Sequence, residues 1–160
     1  MRPTIILKRQ VLGARERALE RFAARACRAA GLQGSITVLV TGNREIQVLN
    51  TRFRKKKYPT DVLSFPPPEF SNEFAGDIAI SLDIAERNAH TLGHSVSDEI
   101  RILIVHGILH LAGYDHEDDK GEMAQKELAL RRKFALPAGL IERSSSRHTA
   151  KRRASARSRV

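Results

Sequence analysis

His106-Gly107-Ile108-Leu109-His110-Leu111-Ala112-Gly113-Tyr114-Asp115-His116 is the stretch on which the architecture turns. Residues four apart stack on one face of an α-helix, so His106 and His110 aim both imidazoles at a single point. Gly113 follows three positions later and suits the left-handed turn that ends a helix. Three residues beyond it, His116 can return a third imidazole to the same point. Singly, such histidines are ordinary core or surface residues; three at this spacing, with Gly at the bend, are a ligand set for zinc, one ion per chain. Three protein ligands leave a fourth position open, as in catalytic rather than structural sites, and no Cys lies near to close the shell. Upstream, Ile100 to Leu111 is apolar on nearly all sides, which predicts a helix buried on several faces. The other elements must therefore be built around it.

The spacing H-x-x-x-H-x-x-G-x-x-H is also that of the metzincin peptidases, where a Glu general base follows the first His. Here Gly107 occupies that place, so the stretch predicts a metal site without the carboxylate that peptide cleavage uses. Gly inside a helix costs about 1 kcal/mol relative to Ala, which points to a close-packing or functional reason for it.

Working outward, the helix begins after Ser95 or Ser97, either a suitable N-cap, with Asp98 and Glu99 in its first turn. Thr4 to Lys8 and Ser35 to Thr41 are β-branched and read as strands, separated by a helical pattern over 12–31 that buries Leu19, Phe22, Ala23, Ala26, Cys27 and Ala30 and stops at Gly31. Asn43 is placed to cap a helix with Ile46, Leu49, Asn50 and Phe53 on one side. That helix runs into Arg52-Phe53-Arg54-Lys55-Lys56-Lys57-Tyr58-Pro59, where Pro59 forces a loop, either a solvated run or an anion-binding loop. Strands are expected at 60–65 and 76–81, then a helix from Leu82 to Leu92 closed by Gly93. His90 and His94, near its end, are read as surface residues. A last helix to about Phe134 buries Met123, Leu128, Leu130 and Phe134, and Pro137 and Gly139 close the folded part. Two successive strands without an intervening helix require an antiparallel pair. The expected class is α+β: about four strands in a mixed sheet, one of them antiparallel, covered by helices around a buried zinc-bearing helix.

Composition is consistent with one domain over residues 1–142 and a separate basic tail over 143–160. The 160 residues carry a net charge of +10, and seven of those cations lie in 143–160 with no acid, leaving +3 elsewhere. Arg, Ser and Ala without apolar periodicity cannot bury enough surface to offset ordering entropy, so disorder is expected there, with attraction to polyanions or simple solubilisation as its role. No stretch approaches the roughly 18 apolar residues of a membrane span. The first residues lack a secretory apolar region, and Glu16 and Glu20 weigh against an organelle transit peptide. A single Cys27 forms no intramolecular disulfide, fitting a reducing, cytoplasmic setting.

Three segments together resemble one family. Residues 106–116 are similar to the H-G-x-L-H-L-x-G-Y-D-H signature of the YbeY family of ribosomal RNA maturation endoribonucleases. Leu49-Asn50 through Arg54, with Thr60-Asp61-Val62-Leu63-Ser64-Phe65-Pro66, resemble its second signature, and Gly76-Asp77-Ile78-Ala79-Ile80-Ser81 its third. The resemblance covers roughly residues 3 to 140. It implies that His106, His110 and His116 bind zinc and that Arg54 is the basic cleft residue needed for activity. It further implies a single-strand-specific endoribonuclease acting in 3′-end maturation of small-subunit (16S) ribosomal RNA and in ribosome quality control. Ribosomal RNA, a small-subunit ribosomal protein and an Era-type GTPase are the implied partners. Asp115 is a candidate to orient a ligand imidazole. Two other readings stand beside this one: a non-enzymatic ribosome assembly factor with a structural zinc, and a metallopeptidase lacking its usual base.

Overall fold

The computed structural model describes residues 2–69 and 71–144, and in it each strand and helix follows from the local pattern of apolar residues. The strands β1 (Thr4–Leu7), β2 (Ser35–Thr41), β3 (Val62–Phe65) and β4 (Phe74–Ser81) form one sheet in the order β1-β2-β4-β3. β1 and β4 each run parallel to β2, whereas β3 is antiparallel to β4. The expected four-stranded mixed sheet with one antiparallel strand is therefore present.

The helices are α1 (Glu16–Ala30), α2 (Asn43–Arg54), α3 (Leu82–Leu92), α4 (Val96–Leu111) and α5 (Glu122–Lys133). α1 buries the six residues expected of it but starts later than the periodicity suggests, because Val11 and Ala14 close a small bridge instead. Burial pushes the Cys27 thiol up to about 11, so it packs as a small apolar group. The alternation of each strand puts Ile36, Val38, Val40, Ile78 and Ile80 on one sheet face, in a core shared with α1 and α4. α2 lies on the other face, over Leu63 and Ala79, through Ile46 and Leu49.

α4 is buried along almost its whole length, as its apolar circumference requires: Ile100, Ile102 to Ile104, Val105 and Ile108 are all inaccessible or nearly so. Ser95 is its N-cap and accepts the Asp98 N–H at 3.0 Å. Gly107 lies directly on β4; a Cβ there would come within 2.9 to 3.1 Å of three atoms of the Ile78 side chain. Close helix-to-sheet packing is thus the reason for a glycine at this point.

Four local expectations are corrected. Asn43 is not the cap of α2 but its first residue, after Gly42; its side chain instead accepts from the Ser81 hydroxyl at 2.5 Å and its N–H donates to Asp83. Pro137 and Gly139 do not end the fold, since residues 140–144 form a further helical turn. Arg143, assigned with the basic tail, belongs to that turn and grips the fully buried Glu99 through contacts of 2.8 to 2.9 Å. His94 is likewise no surface residue, with its Nε2 2.6 Å from the same carboxylate. The tail beyond Ser144 lies outside the described residues.

Candidate metal centre

α4 delivers His106 and His110 one helical turn apart, and their Nε2 atoms lie 3.1 Å from each other. The backbone then turns at Gly113, whose φ of +98° is the left-handed geometry that Gly adopts without strain. That turn brings His116 back, so that one ligand nitrogen from each of the three residues lies within 4.8 Å of the others. Zinc–nitrogen bonds of about 2.0–2.1 Å in tetrahedral geometry place ligand nitrogens about 3.3 Å apart, so the donor set fits a single ion. Among the described residues no fourth His, Cys, Asp or Glu joins the group.

The outer nitrogen of each helical imidazole already has a partner, which decides the tautomer. His106 Nδ1 lies 2.9 Å from the Glu127 carboxylate and His110 Nδ1 lies 3.1 Å from the Tyr114 carbonyl. Both partners accept, so Nδ1 carries the proton in each ring and the Nε2 lone pairs point at the common centre. Burial first, then the neighbouring His106 and His116, hold the His110 pKa below its ordinary value, which keeps the ring neutral as a ligand must be.

The sequence expected this orienting carboxylate at Asp115. Asp115 instead accepts the Glu117 N–H and braces its own loop. Glu127 was missed, although it falls at helical spacing between Met123 and Leu130 on the buried side of α5, where an acid needs a partner. Its second oxygen accepts the Ile141 N–H at 2.8 Å.

Arg54, at the end of α2, lines the same cleft of about 560 Å³ as His106, His110 and His116. One guanidinium N–H donates to the Ser64 carbonyl at 3.0 Å, and the Ser64 hydroxyl donates to the Gly107 carbonyl at 3.3 Å, tying the arginine to α4 through β3. Among the described residues no carboxylate pairs with Arg54. The basic loop after it is not slack. Gln47, Asn50 and Thr51 of α2 donate to the carbonyls of Lys57, Tyr58 and Lys56, which accounts for the buried Asn50.

The family model described as Endoribonuclease YbeY matches residues 6–135. A protein of Koribacter versatilis named Endoribonuclease YbeY is 55% identical over 141 residues, spanning 88% of this chain and 91% of that protein. Its namesake in Solibacter usitatus is 45% identical over 143 residues, 89% of this chain and 95% of the other. The solution structure of a Thermotoga maritima protein superposes with a TM-score of 0.55 at 31% identity, covering 79% of this chain and 85% of that one. With three imidazoles converging in a cleft that Arg54 also lines and the match running through nearly all of the described fold, the chain belongs to the YbeY family of endoribonucleases.

Proposed function

We propose that this protein is a zinc-dependent endoribonuclease that cuts single-stranded RNA in the 3′-end maturation of small-subunit ribosomal RNA. The observation that carries the reading is the shared cleft: it is lined by three converging imidazoles and by Arg54, which pairs with no carboxylate among the described residues. His106, His110 and His116 would hold the ion, and zinc suits three imidazole donors with an open position. When bound, the metal supplies Lewis-acid activation of water or of a phosphoryl oxygen.

The chain's own groups do the rest. Glu127 and the Tyr114 carbonyl keep the Nδ1 protons of His106 and His110 in place, so both rings stay oriented through the reaction. Arg54 keeps N–H donors free of carboxylates and gives them to the non-bridging oxygens of the scissile phosphate, where negative charge grows in the transition state. Lys55, Lys56 and Lys57, on the braced loop beyond it, attract the flanking backbone. The cations between Arg147 and Arg159 extend that attraction along the sequence beyond Ser144. Ribosome quality control, contacts with a small-subunit ribosomal protein and an Era-type GTPase, and a cytoplasmic location belong to the same reading. No helix among the described residues is long and apolar enough to cross a membrane.

Two variants test the division of labour on a labelled precursor of small-subunit ribosomal RNA. Arg54→Ala is expected to keep fold and metal while cleavage falls by about 10²–10³-fold, the usual loss for one transition-state donor. His110→Ala is expected to lose metal and cleavage together. Intact cleavage by metal-free His110→Ala would remove the reading. Binding without any cleavage by the metal-loaded wild type would favour an assembly factor, and cleavage of a peptide instead of RNA a peptidase.

A further inference from the structure

The two faces of the sheet are unequally covered. One carries the main core, whereas α2 roofs only part of the other. On that second face the strand register aligns Thr37, Asp77 and Phe65 in one row and Ile6, Leu39 and Ala79 in the next. Phe53 of α2 overhangs the first row, its ring 5.3 Å from that of Phe65 at 64°. The result is a largely apolar groove of about 750 Å³, in which Phe53 remains 59% exposed and Ile6 41%. Core aromatics do not stay this open, and such a face calls for an occupant.

Position and charge say which occupant. Arg54, Ser64 and Pro66 line both this groove and the metal cleft, so the two are continuous around the arginine. Arg52 lies over the Phe53 ring at 5.6 Å, and Lys55 to Lys57 follow Arg54 in the chain. Cations beside exposed aromatic rings on a sheet suit a polyanion with flat, apolar side groups, which is single-stranded RNA. A strand that places one phosphate at Arg54 must also place the neighbouring base. Asp77, beside Thr37 in the strand register and lining the groove, offers a carboxylate to the amino or ring N–H of a base edge.

We propose that the groove is a nucleobase subsite: the exposed ring of Phe53, in edge-to-face contact with Phe65, stacks one base of an RNA single strand whose adjacent phosphate is held by Arg54, and Asp77 accepts a hydrogen bond from that base. This rests on the endoribonuclease reading, so the test separates the two. The full-length, zinc-loaded chain is mixed with a short RNA carrying 2-aminopurine next to the susceptible linkage; fluorescence is read at once, and the same samples are resolved for cleavage. Stacking is expected to quench the probe, Phe53→Ala to abolish the quench and weaken binding about 5- to 150-fold, and Phe53→Trp to restore both. An abasic residue at the probe position is expected to weaken wild-type binding as Phe53→Ala does. Unchanged binding by Phe53→Ala, or by the abasic strand, overturns the subsite. Unchanged RNA binding with an altered sedimentation rate of Phe53→Ala also overturns it and assigns the groove to a second copy of this chain. Quenching without cleavage leaves the subsite and removes the nuclease; cleavage without quenching does the reverse.

Discussion

Glu127 is held on both oxygens, one 2.9 Å from Nδ1 of His106 and the other 2.8 Å from the N–H of Ile141. The carboxylate is therefore fixed from the C-terminal turn at residues 140–144 as well as from α5, and through it the imidazole is fixed too. Glu127→Gln keeps an acceptor but removes the charge, and metal affinity is expected to fall about 10- to 100-fold. Gly139→Ala should act the same way, because a Cβ at that position overlaps the Glu127 carboxyl group and pushes it off His106. Competition titrations against a chelator measure both; affinities equal to wild type would show that the ring needs no such support.

Gly107→Ala presses a methyl group into Ile78. Overpacking costs about 1–3 kcal/mol, from which the roughly 1 kcal/mol that Ala recovers in helix propensity is subtracted. Urea unfolding should register a net loss. Adding Ile78→Val, which removes the Cδ1 atom that makes the nearest contact, should recover part of it. Gly107→Glu, which would restore the metzincin pattern, is expected to unfold the chain rather than create a peptidase.

Arg143→Ala leaves the Glu99 carboxylate, inaccessible to solvent, with His94 as its remaining side-chain partner. Breaking a buried pair by removing one member costs about 3–5 kcal/mol. The same unfolding assay should show a loss of that order, and stability equal to wild type would mean that the turn at 140–144 is not docked in solution.

Asp83 supplies a pH dependence whose sign is fixed. The Asn43 N–H first, then Arg9, hold its carboxyl below the ordinary value of 3.8. A group whose pKa is depressed on folding contributes stability that is complete above its unfolded value and is lost as pH falls through the folded one. The difference in unfolding free energy between wild type and Asp83→Asn should accordingly be constant from neutral pH down to about pH 5 and narrow below 3.8. A difference that stays level into strong acid would contradict this.

Much of the site was legible because its signal is local. A helix repeat, a glycine bend and three imidazoles occupy eleven consecutive residues, and geometry over that distance is set by backbone periodicity alone. The sheet followed from β-branched runs and the missing helix between β3 and β4. What stayed hidden depends on residues far apart in sequence. Glu127 meets His106 across 21 positions and Arg143 meets Glu99 across 44, and no local pattern announces such pairs. Arg143 was misassigned because basic composition continues through it, and Asn43 because a good capping residue stood one position inside the helix it was expected to cap.

The central claim is that three converging imidazoles make RNA cleavage depend on one ion per chain. Stoichiometric addition of zinc to the metal-stripped protein, followed by cleavage of a labelled single-stranded RNA, tests it most directly. The rate should rise linearly with added zinc and break at one equivalent per chain, with no such rise in His116→Ala. Cleavage that is already complete before zinc is added, or that never appears at full occupancy, would contradict it.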